Sequence, residues 1–170
     1  FNPSRCEWLC SFLRSPPGKS DGGFAWSDFR NIRDDLGTIN DLEHLINSLH
    51  ERGMCFIMDC VITNTSDEHE WALKAKKGDI EYQKRFYFYD NWRIPNKFDS
   101  YDDMSRYFGD IAYDNFTFVP ECKKIVMTTY YPYQWDLNFK NPTVFHEIIS
   151  NILFLTNLGV DILIFDGAEN

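Results

Sequence analysis

Two aspartates close two similar stretches of this sequence. Asp59 ends Gly53-Met-Cys-Phe-Ile-Met-Asp59, and Asp166 ends Gly159-Val-Asp-Ile-Leu-Ile-Phe-Asp166. A carboxylate held at the end of a rigid strand can attack an anomeric carbon while a second carboxyl, roughly 5–5.5 Å away, protonates the leaving group. Rigidity matters because the reacting atoms must be held in line. The same residue type at that place also serves as a cap for a following helix, and Asp166 by itself leaves both roles open.

The elements around these residues repeat. Residues 38–59 read as an amphipathic helix, a glycine, an apolar run and an aspartate, and residues 141–166 read the same way. Helix, glycine turn and buried strand are the parts of a parallel α/β fold, which places its chemistry at the carboxyl ends of the strands. The first helix starts at Thr38, whose side chain can cap amides near Asp41. Leu42, Leu45, Ile46 and Leu49 form its stripe, and Gly53 closes it. The second starts at Asn141-Pro142, and Val144, Phe145, Ile148, Ile149, Ile152 and Leu155 form a broad apolar face. Glu7-Trp-Leu-Cys-Ser-Phe-Leu13 reads as a short strand, followed by the turn-rich Ser15-Pro-Pro-Gly-Lys-Ser-Asp-Gly-Gly23. Glu68 to Lys77 reads as a helix ended by Gly78, and Lys124-Ile-Val-Met-Thr-Thr129 as a β-prone piece. The stretch between Asp59 and Asn141 is far longer than a βα loop requires, and an insertion there builds part of a cleft.

Composition narrows the function. The 170 residues are 44% hydrophobic and 25% charged, which describes a globular chain too short for a complete (β/α)₈ barrel. A formal net charge of −9 argues against nucleic acid and an anionic membrane as partners, and it suits a neutral substrate such as a sugar. Aromatics make up 17%, many in polar surroundings between residues 82 and 135, where they either stack on sugar rings or pack a loop-rich subdomain. Five cysteines (Cys6, Cys10, Cys55, Cys60 and Cys122), with no C-x-x-C pair, argue against a disulfide framework and a zinc site. Cys55 and Cys60 read as small buried hydrophobes. No apolar stretch is long enough to span a membrane, and the first residues do not resemble a signal peptide, so a cytoplasmic setting is expected. Asn64-Thr-Ser and Asn115-Phe-Thr match the glycosylation triplet and are read as chance in that setting. Both ends read as cut, because Phe1 to Ser4 carry neither a cap nor a starting methionine and Asn170 follows the second apolar run by only a few residues.

Five strings together resemble amylosucrase, a sucrose-using branch of the alpha-amylase family of glycoside hydrolases. They are Lys19-Ser-Asp-Gly-Gly-Phe-Ala25, Leu36-Gly-Thr-Ile-Asn-Asp-Leu42, Thr65-Ser-Asp-Glu-His-Glu-Trp-Ala72, Tyr133-Gln-Trp-Asp-Leu-Asn138 with Asn141-Pro142, and Phe154-Leu-Thr-Asn-Leu-Gly-Val-Asp161. They are collinear with that family over nearly the whole chain. The resemblance implies an α/β fold: a partial (β/α)₈ TIM barrel holding about the second to fourth strands, with a subdomain inserted after the third. Residues 1–62 and 136–170 would be barrel, and residues 63–135 the insertion and cleft loops.

The implied reaction is retaining transfer of glucose from sucrose to an α-glucan, with no cofactor and no metal. By residue, the family's nucleophile falls on Asp166, and the aspartate for the far glucosyl hydroxyls falls on Asp21. The aromatic platform falls on Phe24, where tyrosine is usual, and the aromatic wedge on Tyr130. Asp59 falls on the aspartate that organises the third-strand motif. That motif ends in Asn-His in the family but in Thr63-Asn64 here, and Asn64 can hydrogen-bond a sugar hydroxyl without carrying charge. The family's arginine two residues before the nucleophile is Ile164 here, and the alanine after it is Gly167. Isoleucine has no donors with which to orient a carboxylate. The acid/base glutamate and third carboxylate of the family belong to later strands, so this chain alone is expected to be inactive. The alternative function is a non-catalytic barrel relative that binds carbohydrate or a protein partner. An open doubly wound fold fits less well, since no G-x-G-x-x-G loop is present.

Overall fold

The computed structural model describes residues 6–9, 12–19, 21–99 and 115–167. Cys10 and Ser20, both used above, lie outside the described residues. The chain divides into two compact units: residues 1–63 with 145–170, and residues 64–144.

The first unit is built on a parallel sheet of three strands in the order β1 (Cys6–Leu9), β4 (Cys55–Val61), β10 (Ile162–Asp166). The central strand owes its place to its content. Phe56, Met58 and Cys60 on one face and Val61 on the other are all buried, as suits a strand covered on both sides. The expected single strand over residues 7–13 is two elements. β1 ends at Leu9, and β2 (Leu13–Arg14) pairs antiparallel with β3 (Asp28–Ile32) in a separate ribbon.

Helix α1 (Ile39–Glu51) feeds β4. Thr38 and Asp41 form a capping box, each side chain accepting the other's backbone amide, so the start read from sequence has a physical stop behind it. Leu42 and Ile46 are its buried face, while Leu45 is exposed. Gly53 then takes φ +68°, the left-handed turn that only glycine adopts without strain.

Helix α5 (Pro142–Asn157) feeds β10, and Asn141 Oδ1 accepts the Thr143 amide at its start. Its apolar face is narrower in effect than its sequence suggested. Val144, Ile148 and Leu155 are buried, whereas Phe145 (51% exposed), Ile149 (40%) and Leu153 (56%) form an open stripe. Arg30 of β3 holds the helix from its side, donating from Nε to Asn151 (2.9 Å) and from Nη2 to Ser150 (2.8 Å). At the amino end of the sheet, Asp161 Oδ2 accepts the Phe56 amide and pairs with His50 Nε2, each at 2.8 Å, pinning α1, β4 and β10 together. Burial pushes the Asp161 carboxyl up, but the Phe56 amide and His50 together hold it below its usual value.

The second unit is antiparallel. β5 (Asn64–Ser66) pairs with β9 (Gln134–Asp136), and β6 (Phe88–Tyr89), β8 (Lys124–Met127) and β7 (Phe116–Val119) form a three-stranded sheet with β8 central. Helix α2 (Glu70–Lys76) is capped by His69, whose Nδ1 accepts the Trp71 amide. α3 (Ile80–Gln83) and α4 (Arg93–Asp99) follow. The Arg85 guanidinium lies over both the Trp71 ring (4.4 Å) and the Tyr82 ring (4.6 Å), which replaces its water with aromatic faces. Asn138 and Asn141 both donate from Nδ2 to the Lys84 carbonyl, so the Gln134–Asn138 string is bolted down at its far end.

Candidate active site

Strand register brings the acids of the first unit together. β10 runs parallel to β4 with Ile164 opposite Asp59 and Asp166 opposite Val61. In-register residues of neighbouring strands share a face, and alternate residues along a strand share one too. Asp59, Ile164 and Asp166 therefore lie on one face, toward the carboxyl ends of both strands. Asp59 stands two residues before the end of β4 and is buried, whereas Asp166 is the last residue of β10 and is exposed. Ile164 occupies the place beside Asp59 where the resemblance expects a guanidinium, and it is 37% exposed.

Asp21 and Phe24 share the loop between β2 and β3. The Asp21 carboxylate is drawn into that loop, Oδ1 accepting the Gly23 amide (3.0 Å) and Oδ2 the Ala25 amide (2.8 Å). Gly22 makes this possible. It has φ +70°, and a Cβ there would stand 3.3 Å from two carbons of the Phe24 ring, so a side chain at this place would crowd the aromatic. Asp21 thus orders the loop that carries Phe24, in addition to any contact with a sugar.

Asn64 and Tyr130 belong to the second unit. Asn64 opens β5 directly opposite Asp136 of β9, and Ser66 lies opposite Gln134. Directly opposed residues of an antiparallel pair share a face. One face of this buried ribbon is therefore wholly polar: Asn64, Ser66, Gln134 and Asp136. The other carries Trp135, which meets Phe86 and Phe88 edge to face at 5.4 and 5.5 Å.

Asp136 had no role assigned from the sequence, although it stands in one of the strings that carry the resemblance. Its Oδ2 accepts both the Thr129 amide (3.0 Å) and the Thr129 hydroxyl (2.5 Å). Burial pushes this carboxyl up to about 6, and the two Thr129 donors pull against that rise. Its charge in turn acts on Tyr89, whose hydroxyl is raised first by burial and then by Tyr87 and Asp136. Burial pushes the Cys60 thiol up to about 12, which leaves it inert as a nucleophile. Among the described residues no group of three or more His, Cys, Asp or Glu could hold a metal ion.

Residues 5–169 match the alpha-amylase family, described as the alpha amylase catalytic domain. The chain belongs to the alpha-amylase family. Trehalose synthase/amylase TreS of Mycolicibacterium smegmatis is 31% identical over 156 residues, 92% of this chain and 25% of that protein. The amino acid transporter heavy chain SLC3A1 of Rattus norvegicus is 30% identical over 162 residues, 95% of this chain and 23% of that one. Among solved structures, a family GH13_31 enzyme superposes with a TM-score of 0.79 at 28% identity, covering 96% of this chain and 29% of its own. The chain thus spans about a quarter of the length of the curated relatives it matches. Its three parallel strands and their helices are part of the (β/α)₈ barrel of alpha-amylase-family enzymes. Among the described residues no helix is long and apolar enough to cross a membrane.

Proposed function

We propose that this stretch belongs to an amylosucrase-like protein that transfers glucose from sucrose to an α-glucan with retention, Asp166 being its nucleophile. One observation carries the reading: the register that sets Asp59, Ile164 and Asp166 on a single sheet face, with Asp166 at the strand end. Asp166 attacks the anomeric carbon of the glucosyl unit. Fructose leaves with a proton from a glutamate that the family places on a later strand, and a hydroxyl of the α-glucan, or water, then releases the glucosyl unit. Asp21 holds the far hydroxyls and Phe24 is the stacking platform. Asn64 bonds a ring hydroxyl, Tyr130 borders the ring, and Asp59 organises the third-strand motif. Residues 63–135 form an insertion after the third barrel strand. The reading needs neither metal nor cofactor, and an excess of acidic residues suits a neutral sugar.

Ile164 favours a second reading. An apolar side chain beside Asp59 removes the donors that aim the nucleophile, which suits a relative that binds carbohydrate or a protein partner without turnover. Fructose release from sucrose by the full-length protein separates the two. Slow release that Asp166→Asn abolishes is the expected result. Equal release by parent and variant would overturn the catalytic reading and leave binding.

A further inference from the structure

We propose that Asp136 is the positioning residue of Tyr130, acting through the two hydrogen bonds it accepts from Thr129. The inference rests on the reading of Tyr130 as a sugar contact, and it adds a residue to which that reading gives no part. Every neighbour of Tyr130 along the chain is tied down. Thr128 donates its amide to the Asn115 carbonyl (2.8 Å), and its hydroxyl meets that of Thr117 at 3.0 Å. Thr129 donates twice to one oxygen of Asp136. The Tyr131 carbonyl accepts the Gln134 amide, and the Tyr133 carbonyl accepts the Asp67 amide, each at 2.8 Å.

Of these ties, the pair on Asp136 is made by a residue next to Tyr130 and is the one made to a side-chain carboxylate. Hydrogen bonds to a charged acceptor are roughly twice as strong as neutral ones. Asp136 is itself fixed, because β9 holds it opposite Asn64 in a buried ribbon. The carboxylate therefore transmits the position of β5 and β9 to the segment that carries Tyr130, and it places Asn64 and Tyr130 in one hydrogen-bonded frame.

The test is amide hydrogen exchange and NMR on the 170-residue chain, with Ile149→Lys and Leu153→Glu as the common background that keeps it monomeric and sucrose as the probe ligand. Asp136→Leu, which removes the acceptor, is expected to speed exchange at Thr129 roughly tenfold or more and to shift the Tyr130 ring and amide signals, the changes being confined to residues 128–131. Asp136→Asn, whose amide oxygen can accept both donors, should keep exchange within about threefold of the parent. If Asp136→Leu does not fold, Thr129→Val, which removes the hydroxyl bond and keeps the amide bond, gives smaller Tyr130 shifts and Thr129→Ser restores the parent signals. Unchanged Tyr130 signals in Asp136→Leu, or in Thr129→Val, overturn the proposal. Sucrose binding that weakens about tenfold with the Tyr130 shift, and returns in Asp136→Asn, supports both this role and the sugar reading. The Tyr130 shifts without any sucrose binding by the parent would support the positioning role and count against the sugar contact alone.

Discussion

Ile164 stands beside Asp59 across β4 and β10 and two residues before Asp166, so a guanidinium introduced there would reach carboxylates on its own sheet face. Such pairs hold an acid ionised and aimed, which is what a nucleophile needs. Asn64 faces the Asp136 carboxylate, so an imidazole at that place would be favoured in its charged, donating form. In the full-length protein, Ile164→Arg with Asn64→His is expected to raise sucrose turnover by more than the product of the single effects, Ile164→Arg alone giving roughly tenfold. Steady-state kinetics on the two single variants and the pair measure this. A folded double variant no faster than its parent would show that the site has diverged beyond these two residues. That Ile164 and Asp166 share a face could be read from spacing, because residues that sit two apart on one strand share a face in any register. The role of Asp136 could not, because its partner, Thr129, follows from how a turn folds back.

At the scale of elements, β5 and β9 form a ribbon whose polar face is buried, and burial has a pH signature. The Asp136 carboxyl titrates at about 6 in the fold against an ordinary 3.8. A raised acid binds its proton more tightly in the folded than in the unfolded state. Its contribution to stability is therefore complete below 3.8 and is lost as pH rises through about 6. Unfolding free energy of the parent should fall relative to Asp136→Asn across that window, by up to about 3 kcal/mol, and the difference should be flat above it. Urea titrations at closely spaced pH values check this. A constant difference between parent and variant from pH 4 to 7 would mean that Asp136 is solvated. The helices were legible for local reasons: Thr38 with Asp41, and Asn141 with Pro142, satisfy the first amides of α1 and α5 from within a few residues. The break between β1 and β2 was not legible, because Leu9 and Leu13 are both apolar and only strand pairing assigns them to different sheets.

At the scale of the whole molecule, the first unit presents surface that a finished barrel would cover. Among the described residues β10 pairs with β4 alone, Phe165 on it is 42% exposed, and Phe145, Ile149 and Leu153 run along α5 at intervals of four. An open strand edge beside an apolar stripe promotes association. The 170-residue chain is expected to self-associate at micromolar concentrations in sedimentation velocity, and Ile149→Lys with Leu153→Glu should shift it toward monomer without loss of helix content. A parent that sediments as a monomer at every concentration would contradict this. The same surface shows what sequence and tertiary structure each decide. By itself the sequence determined the helix–glycine–strand–aspartate units, their caps and turns, and the strings that mark the alpha-amylase family, because those are written in neighbouring residues. Only the tertiary structure decided which acids share a face, that Asp21 is drawn into its own loop, that Phe145 and Ile149 of the α5 apolar face are open, and that Asp136 holds Thr129. Each of these depends on register or burial between residues distant in the chain, and a local pattern of residue types carries neither.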